Sequence, residues 1–167
     1  MEYKVIDGKG IIPDGTTEIE KSAFKGCTSL QSIEIPDSVT RINHSAFSGC
    51  NNLTSITVSK NNPKYKSINN CILTKDGKIL ILCRNHNIPD SVTIIGDFAF
   101  KGYTSLQSIE IPDSVTSIGG MAFWDCAGLQ SIVIPDSVTM IDRSAFWGCI
   151  YNHRTTKTNQ KYPSVNL

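Results

Sequence analysis

The apolar residues of this chain recur in one short pattern that runs through most of its length. In the segment LQSIEIPDSVTSIGGMAFWDCAG, Ile109 and Ile111 alternate with polar residues, which is typical of a half-buried strand. A Pro-Asp turn follows, and Val115–Ile118 alternates again. The Ala-Phe pair after it predicts a tight helical turn that places Phe123 in the core. One segment therefore predicts one coil with two short strands and a short helical turn.

The same segment is repeated five times. Its Ala-Phe pair falls at Ala23/Phe24, Ala46/Phe47, Ala99/Phe100, Ala122/Phe123 and Ala145/Phe146, and three of the four steps are 23 residues long. A unit of this size cannot bury enough apolar surface to fold alone. It has the right size for one coil of a solenoid. We therefore predict a single solenoid over residues 1–150.

One step between Ala-Phe pairs is 53 residues long instead of 23, which reveals an insertion. Within it, two apolar segments flank the sequence KDGK, and Asp-Gly is a strong hairpin turn signal. We predict a β-hairpin built into the stack at about residues 60–87. Pairing across a two-residue turn would set Cys71 opposite Leu82 rather than Cys83, so a Cys71–Cys83 disulfide is not predicted.

After Cys149 the apolar pattern stops. The segment that follows lacks the Leu and Ile positions that a sixth strand would need. Residues 151–167 are predicted to form either a polar cap over the last coil or a frayed tail.

Composition narrows the classes of partner. The chain carries 16 basic and 15 acidic residues, a net charge of +1, so it has no electrostatic footprint for nucleic acid. No run of 18 apolar residues occurs, which predicts no membrane insertion. The start MEYKVIDGKG lacks the apolar core of a signal peptide. Either the protein is cytoplasmic, or it is a secreted or cell-surface protein whose signal peptide has been removed.

Repeated polar and thiol side chains predict neither a metal site nor a cofactor. Cys27, Cys50, Cys126 and Cys149 share one repeat position, which Tyr103 takes in another coil. Such a column stacks at roughly 5 Å as small buried hydrophobes and cannot converge on a tetrahedral metal. The turn aspartates likewise present one carboxylate per coil, whereas calcium needs six to eight oxygens around one point.

A catalytic site is not predicted either. Catalysis needs a nucleophile, a base and an orienting group that converge. The three histidines, His44, His86 and His153, lie at different repeat positions in polar segments. We therefore do not expect an enzyme.

The best candidate for a binding surface is the column just past the Ala-Phe pair. It reads Lys25, Ser48, Lys101, Trp124 and Trp147, and it contains both tryptophans of the chain. Exposed aromatic residues are enriched among interface anchors. Alternatively, the C-terminal tail folds back and Tyr151 or Tyr162 packs on the indoles. A third interpretation is that a sugar stacks on the pair.

A second set of variable positions follows the second strand of each coil. Together with the first column, it gives the predicted binding residues Trp124, Trp147, Lys101, Arg41, Ile94, Met140 and Arg143.

The consensus LxSIxIPxSVTxIxxxAFxxC, over roughly residues 11 to 149, resembles the BspA-like class of leucine-rich repeats. That class is found in bacterial surface proteins and in some protozoan parasites. The resemblance implies a mostly β, right-handed solenoid and an adhesin-like role at the cell surface, recognising a protein or glycan partner. The alternative is an intracellular scaffolding solenoid that self-associates. We expect a monomer or weak self-association.

Overall fold

The computed structural model describes residues 2–149 and the backbone of residues 153–156. Every regular element in these ranges is a short β-strand, and they contain no helix. It follows that no helix there could cross a membrane. In chain order the strands are β1 (Lys4–Ile6), β2 (Lys9–Ile11), β3 (Glu18–Ile19), β4 (Ser32–Ile35), β5 (Arg41–Ile42), β6 (Ser55–Val58), β7 (Tyr65–Ile68), β8 (Cys71–Thr74), β9 (Ile79–Cys83), β10 (Ile94–Ile95), β11 (Ser108–Glu110), β12 (Ser117–Ile118), β13 (Ser131–Ile134), β14 (Met140–Ile141) and β15 (His153–Thr156).

The strands form parallel ladders between equivalent positions of neighbouring repeats. Strands of the first kind pair as β2-β4-β6 and as β11-β13-β15, and strands of the second kind pair as β3-β5 and as β10-β12-β14. Ile33 pairs with Ile56, and Ile109 pairs with Ile132, so the register equals the 23-residue repeat. The predicted solenoid is confirmed.

The interior of the solenoid is a stack of phenylalanine rings. The Phe24 and Phe47 ring centroids lie 5.5 Å apart with planes within 6° of parallel. Phe100, Phe123 and Phe146 form a second stack after the inserted hairpin, at centroid distances of 4.7 and 5.1 Å. All five rings are buried. Such pairs contribute about 0.5–1.5 kcal/mol each beyond the burial of apolar area.

The predicted helical turns are wrong: the Ala-Phe segments form turns whose backbone bonds reach the next coil. Phe24 N–H donates to Ala46 O at 2.9 Å, and Gly26 N–H donates to Ser48 O at 2.8 Å. An α-helix would need these donors for carbonyls four residues earlier in the chain. Because the neighbouring coil takes them, a third ladder forms. The same bonds recur later, from Phe100 to Ala122 and from Phe123 to Ala145.

Glycines end these turns, as the sequence predicts. Gly102 has φ +67°, a left-handed conformation that other residues rarely adopt. A Cβ at Gly102 would also lie only 3.1 Å from the backbone nitrogen of Gly49. The turn glycines therefore permit both the chain reversal and the close approach of coils.

The inserted hairpin is confirmed, but its predicted register is wrong. Strands β8 and β9 begin in the expected antiparallel alignment, with Leu73 opposite Leu80. A β-bulge then adds one residue to β9, so that Ile72 faces Leu82 and Cys71 faces Cys83. Cys71 and Cys83, whose Cα atoms lie 4.1 Å apart, form a buried disulfide. The prediction failed because it assumed an unbroken two-residue period.

The hairpin separates the core into two clusters. Ile72 and Leu82 pack with the coils before the insertion. Leu73, Leu80 and the disulfide pack with the coils after it. The two faces of the hairpin thus serve two cores.

Arg84, directly after the hairpin, connects the coils on either side of it. Its side chain is 4% exposed, and Nη2 donates to Phe47 O at 2.9 Å and to Lys101 O at 3.4 Å. Nη1 donates to Cys83 O, and the guanidinium lies 5.4 Å from the centre of the Tyr103 ring. Burial lowers the pKa of Arg84. Within the described residues no carboxylate forms an ion pair with it, so backbone carbonyls take the place of a counter-ion.

The four cysteines at the shared repeat position are free thiols, and three of them bond to the preceding coil. Cys50 Sγ donates to Phe24 O at 2.9 Å, and Cys126 Sγ donates to Phe100 O at 3.1 Å. Burial raises the pKa of Cys50 to about 11, so this thiol stays protonated near neutral pH.

Past Cys149 a strand forms where the apolar pattern has ended. Strand β15 pairs in parallel with β13, with Ser131 opposite His153 and Ile134 opposite Thr156. Parallel backbone pairing extends this sheet past the apolar repeat. The rest of the predicted cap, residues 151–152 and 157–167, lies outside the described residues.

The disulfide predicts the number of reactive thiols. Of the six cysteines, we expect four to be alkylated in denaturant without reductant, and six after reduction, as counted by intact mass. Replacing both Cys71 and Cys83 by alanine should lower the free energy of unfolding by about 3 kcal/mol, because the bridge no longer restricts the unfolded chain. Cys27→Ala, which removes a half-buried free thiol, is the control. Six alkylated cysteines without reductant would contradict the pairing.

Arg84 gives a second stability prediction. Arg84→Met removes the donors of two buried carbonyls, and we expect it to lower the free energy of unfolding by about 2 kcal/mol in urea titrations. The matched control is Arg143→Met at an exposed arginine, which should change stability by less than about 0.5 kcal/mol. Equal effects of the two variants would show that Arg84 does not hold the coils together.

Candidate ligand-binding surface

Trp124 and Trp147 lie side by side on adjacent coils, as their repeat position predicts. Their ring centroids are 4.4 Å apart and their planes are tilted by 36°. Trp124 is half-buried, whereas Trp147 is 49% exposed. The tyrosines considered as a cover for this pair, Tyr151 and Tyr162, lie outside the described residues. About half of the Trp147 indole is open to solvent against the residues that the structure describes.

The indole of Trp124 is held in place by its chain neighbour. Trp124 Nε1 donates to Asp125 Oδ2 at 2.7 Å. The backbone N–H of Asp125 in turn donates to Trp147 O at 2.9 Å. Asp125 thus restricts the rotamer of Trp124 before any ligand arrives, and its backbone bond fixes the main chain that carries Trp147. A side chain that is already ordered loses less entropy on binding.

Lys101 lies between two aromatic rings. Its Nζ is 5.4 Å from the ring centre of Trp124 and 4.9 Å from that of Phe98. Both distances are within the range of a cation–π interaction. Lys101 therefore joins the tryptophan pair to the coil that precedes it, as the repeat column predicts.

Phe98 and His44 extend this surface in a way that the sequence analysis missed. Their ring centroids lie 4.1 Å apart with planes 15° from parallel. Burial, followed by the positive charge of Lys101, lowers the pKa of His44. Phe98 has φ +61°, which is rare for a bulky residue and costs on the order of 1–3 kcal/mol. Three sister repeats place serine here, Ser22, Ser45 and Ser144, so the departure was visible in the sequence.

Together these five side chains form one continuous surface that we call the aromatic row. It runs along the solenoid over successive coils and consists of His44, Phe98, Lys101, Trp124 and Trp147. Lys101, Trp124 and Trp147 meet because equivalent positions of successive coils stack at the strand spacing. Phe98 reaches Lys101 within one coil, and His44 reaches Phe98 across the insertion. The row is able to bind by stacking and by cation–π contact.

The other predicted binding residues do not join the row. Ile94 lies on β10 and Met140 on β14, and Ser117 of β12 pairs with both, so two strand spacings separate them. Arg41 lies on β5 in a different sheet, where it forms an ion pair with Glu18. Arg143 is exposed, and its backbone N–H donates to Asp142 Oδ1 at 2.5 Å. These residues remain separate exposed side chains.

A cleft of about 750 Å³ opens on another side of the molecule, where the hairpin interrupts the ladder of first strands. It shares no residue with the aromatic row. Its lining includes three carboxylates and no lysine or arginine: Asn69, His86–Asp90 and Ser108–Asp113. Within residues 2–149 no group of three or more His, Cys, Asp and Glu side chains is placed to hold a metal ion.

Comparison with known families identifies the repeat. The profile of the BspA type leucine rich repeat region matches residues 9–79 and 80–163, in six copies. The comparison with curated proteins gave no match.

Solved structures show the same architecture. A leucine-rich repeat protein from Eubacterium ventriosum is 30% identical, with a TM-score of 0.73 over 90% of this chain. This chain spans 43% of the length of that protein. The pneumococcal vaccine antigen PcpA is 17% identical, with a TM-score of 0.56. The match covers 72% of this chain and 37% of the PcpA chain. That likeness supports the fold alone. With its profile match over nearly the whole length, the chain belongs to the BspA-type leucine-rich repeat family.

Proposed function

We propose that this protein is a non-enzymatic recognition module that binds a protein or glycan partner through the aromatic row. The observation that carries the proposal is the Trp124–Trp147 pair: the two rings are in contact, Asp125 holds the Trp124 indole, and Trp147 is still half open. Solvent-exposed tryptophans cost solubility unless they contact something. Aromatic anchors of this kind provide most of the binding energy in many interfaces.

The solenoid supplies a rigid frame for such a surface. The inward positions of each coil are fixed by packing, whereas the outward positions are free to change without loss of the fold. In this chain the outward column changes from lysine and serine to tryptophan in the last two coils.

The disulfide supports a location outside the reducing cytosol. Disulfides persist mainly in secreted, periplasmic and cell-surface proteins, and the Cys71–Cys83 bridge is buried in the core. We infer a cell-surface or secreted protein with an adhesin-like role, in which the row contacts a host or neighbouring cell. This location is tested by counting the cysteines that can be alkylated without reductant in the protein isolated from its native cell, where we expect four.

The binding role predicts the behaviour of a double variant. Trp124→Ala with Trp147→Ala should weaken capture of the partner by at least 100-fold, because two anchors of about 2 kcal/mol each are lost. Purified protein would be screened on arrays of extracellular matrix proteins and of glycans, and the hits measured by biolayer interferometry.

Ile6→Ala is the matched control, because it truncates an exposed apolar side chain, 54% exposed, on β1 and outside the predicted binding residues. The control should bind like the wild type, and circular dichroism should show that both variants are folded. Partners that bind the double variant as tightly as the wild type would place the interface elsewhere.

A further inference from the structure

We propose that the open side of Trp147, together with the Asp125 carboxylate, binds an arginine side chain of a protein partner. This inference rests on the proposed function and names the group that the aromatic row recognises. It commits the partner to protein rather than glycan.

The protein already contains the interaction in its own structure. Lys101 lies between Phe98 and Trp124, so one surface of the Trp124 indole faces a cation and the other faces Trp147. Among the described residues no lysine or arginine stacks on Trp147. A cation that arrives on Trp147 would therefore continue the alternation of rings and charges by one layer.

Asp125 supplies the opposite charge next to the turn that carries Trp147. Its Oδ2 accepts the bond from Trp124 Nε1, and its Oδ1 lies over Gly148, the residue after Trp147. A carboxylate accepts several hydrogen bonds, so the contact with Trp124 leaves capacity for a donor from a ligand. Asp125 is exposed and can meet a charged ligand from solvent.

Gly148 keeps this space open. It has φ +78°, and a Cβ at position 148 would overlap the Asp125 carboxylate. A side chain at position 148 would displace the carboxylate. The glycine that ends the turn thus also leaves room for the acid.

Arginine fits this pair of groups better than lysine does. A guanidinium is planar, so it can stack on an indole while its edge donates hydrogen bonds to a carboxylate. An ammonium is a point charge that keeps its water more strongly.

The test uses a minimal probe, the peptide acetyl-Gly-Arg-Gly-amide, with the citrulline peptide as its neutral isostere. Binding to the full chain would be followed by NMR through the indole N–H signals of the two tryptophans, which Trp147→Phe assigns. We expect a saturable shift of the Trp147 signal with the arginine peptide, and at least 10-fold weaker binding of the citrulline peptide. Raising the salt concentration from 50 to 500 mM should weaken the arginine peptide severalfold, because part of the attraction is between charges.

Two variants separate the carboxylate from the fold. Asp125→Asn keeps an acceptor for Trp124 Nε1 but removes the charge, and we expect it to weaken the arginine peptide at least fivefold. Asp142→Asn removes a nearby exposed carboxylate that does not contact either tryptophan and should leave binding unchanged.

Equal binding of the arginine and citrulline peptides, or no saturable shift of Trp147, would overturn the inference. An equal effect of the two aspartate variants would overturn it as well. These results are distinct from a failure of the proposed function. The proposed function fails if the Trp124→Ala/Trp147→Ala variant keeps its partner. A partner lost in that variant but insensitive to Asp125→Asn would leave the recognition role in place and reject arginine as its target.

Discussion

Every coil of this protein can bury its apolar row only against the next coil, and this constraint governs the rest of the structure. A typical coil has two strands of two to four residues and one Ala-Phe turn, which together enclose too little apolar surface to be stable alone. Stacking solves this problem in three ways at once: two parallel strand ladders, the turn ladder from Phe N–H to the next Ala carbonyl, and the phenylalanine stack. A change at one coil is therefore felt mainly by its immediate neighbours.

At the inserted hairpin, the coils on either side bury their apolar residues against the hairpin instead of against another coil. There the stacking of phenylalanines stops, and the core divides between the two faces of β8 and β9. The disulfide holds the hairpin to its bulged register, and Arg84 gives donors to carbonyls of coils on both sides. An inserted element that lacks the repeat has to supply its own bonds to both neighbours, and a buried cation with carbonyl partners does so here. The cost is a buried charge whose Nε has no hydrogen-bond partner.

The spacing that stacks the core also organises the surface. Side chains at one repeat position are brought within stacking distance whether they point inward or outward, and the centroid distances of 4.4 Å for the tryptophans and 4.7 Å for Phe100–Phe123 reflect this. In an outward column of small polar residues, neighbouring side chains do not hold one another in place. In a column that contains aromatic and cationic residues they contact one another and form a pre-ordered row. Function in such a protein can thus arise by a few substitutions at outward positions of adjacent coils, with no change of the core.

The sequence by itself determined the features that depend on one coil and its repeat. The strand alternation, the turn prolines, the left-handed glycines and the buried phenylalanines follow from local chemistry, and the fixed interval sets the register between coils. It also placed Trp124, Trp147 and Lys101 in one column, where the structure has them. Only the tertiary structure decided the features that depend on what a neighbouring coil offers. The turns are not helical because the next coil accepts their N–H bonds, the bulge in β9 brings Cys83 to Cys71, and His44 meets Phe98 across the insertion. The repeat period could not predict the bulge or the His44–Phe98 contact, because both lie at the insertion, where the period is broken. It could not predict the form of the turns, because their N–H groups bond to carbonyls of the next coil instead of their own.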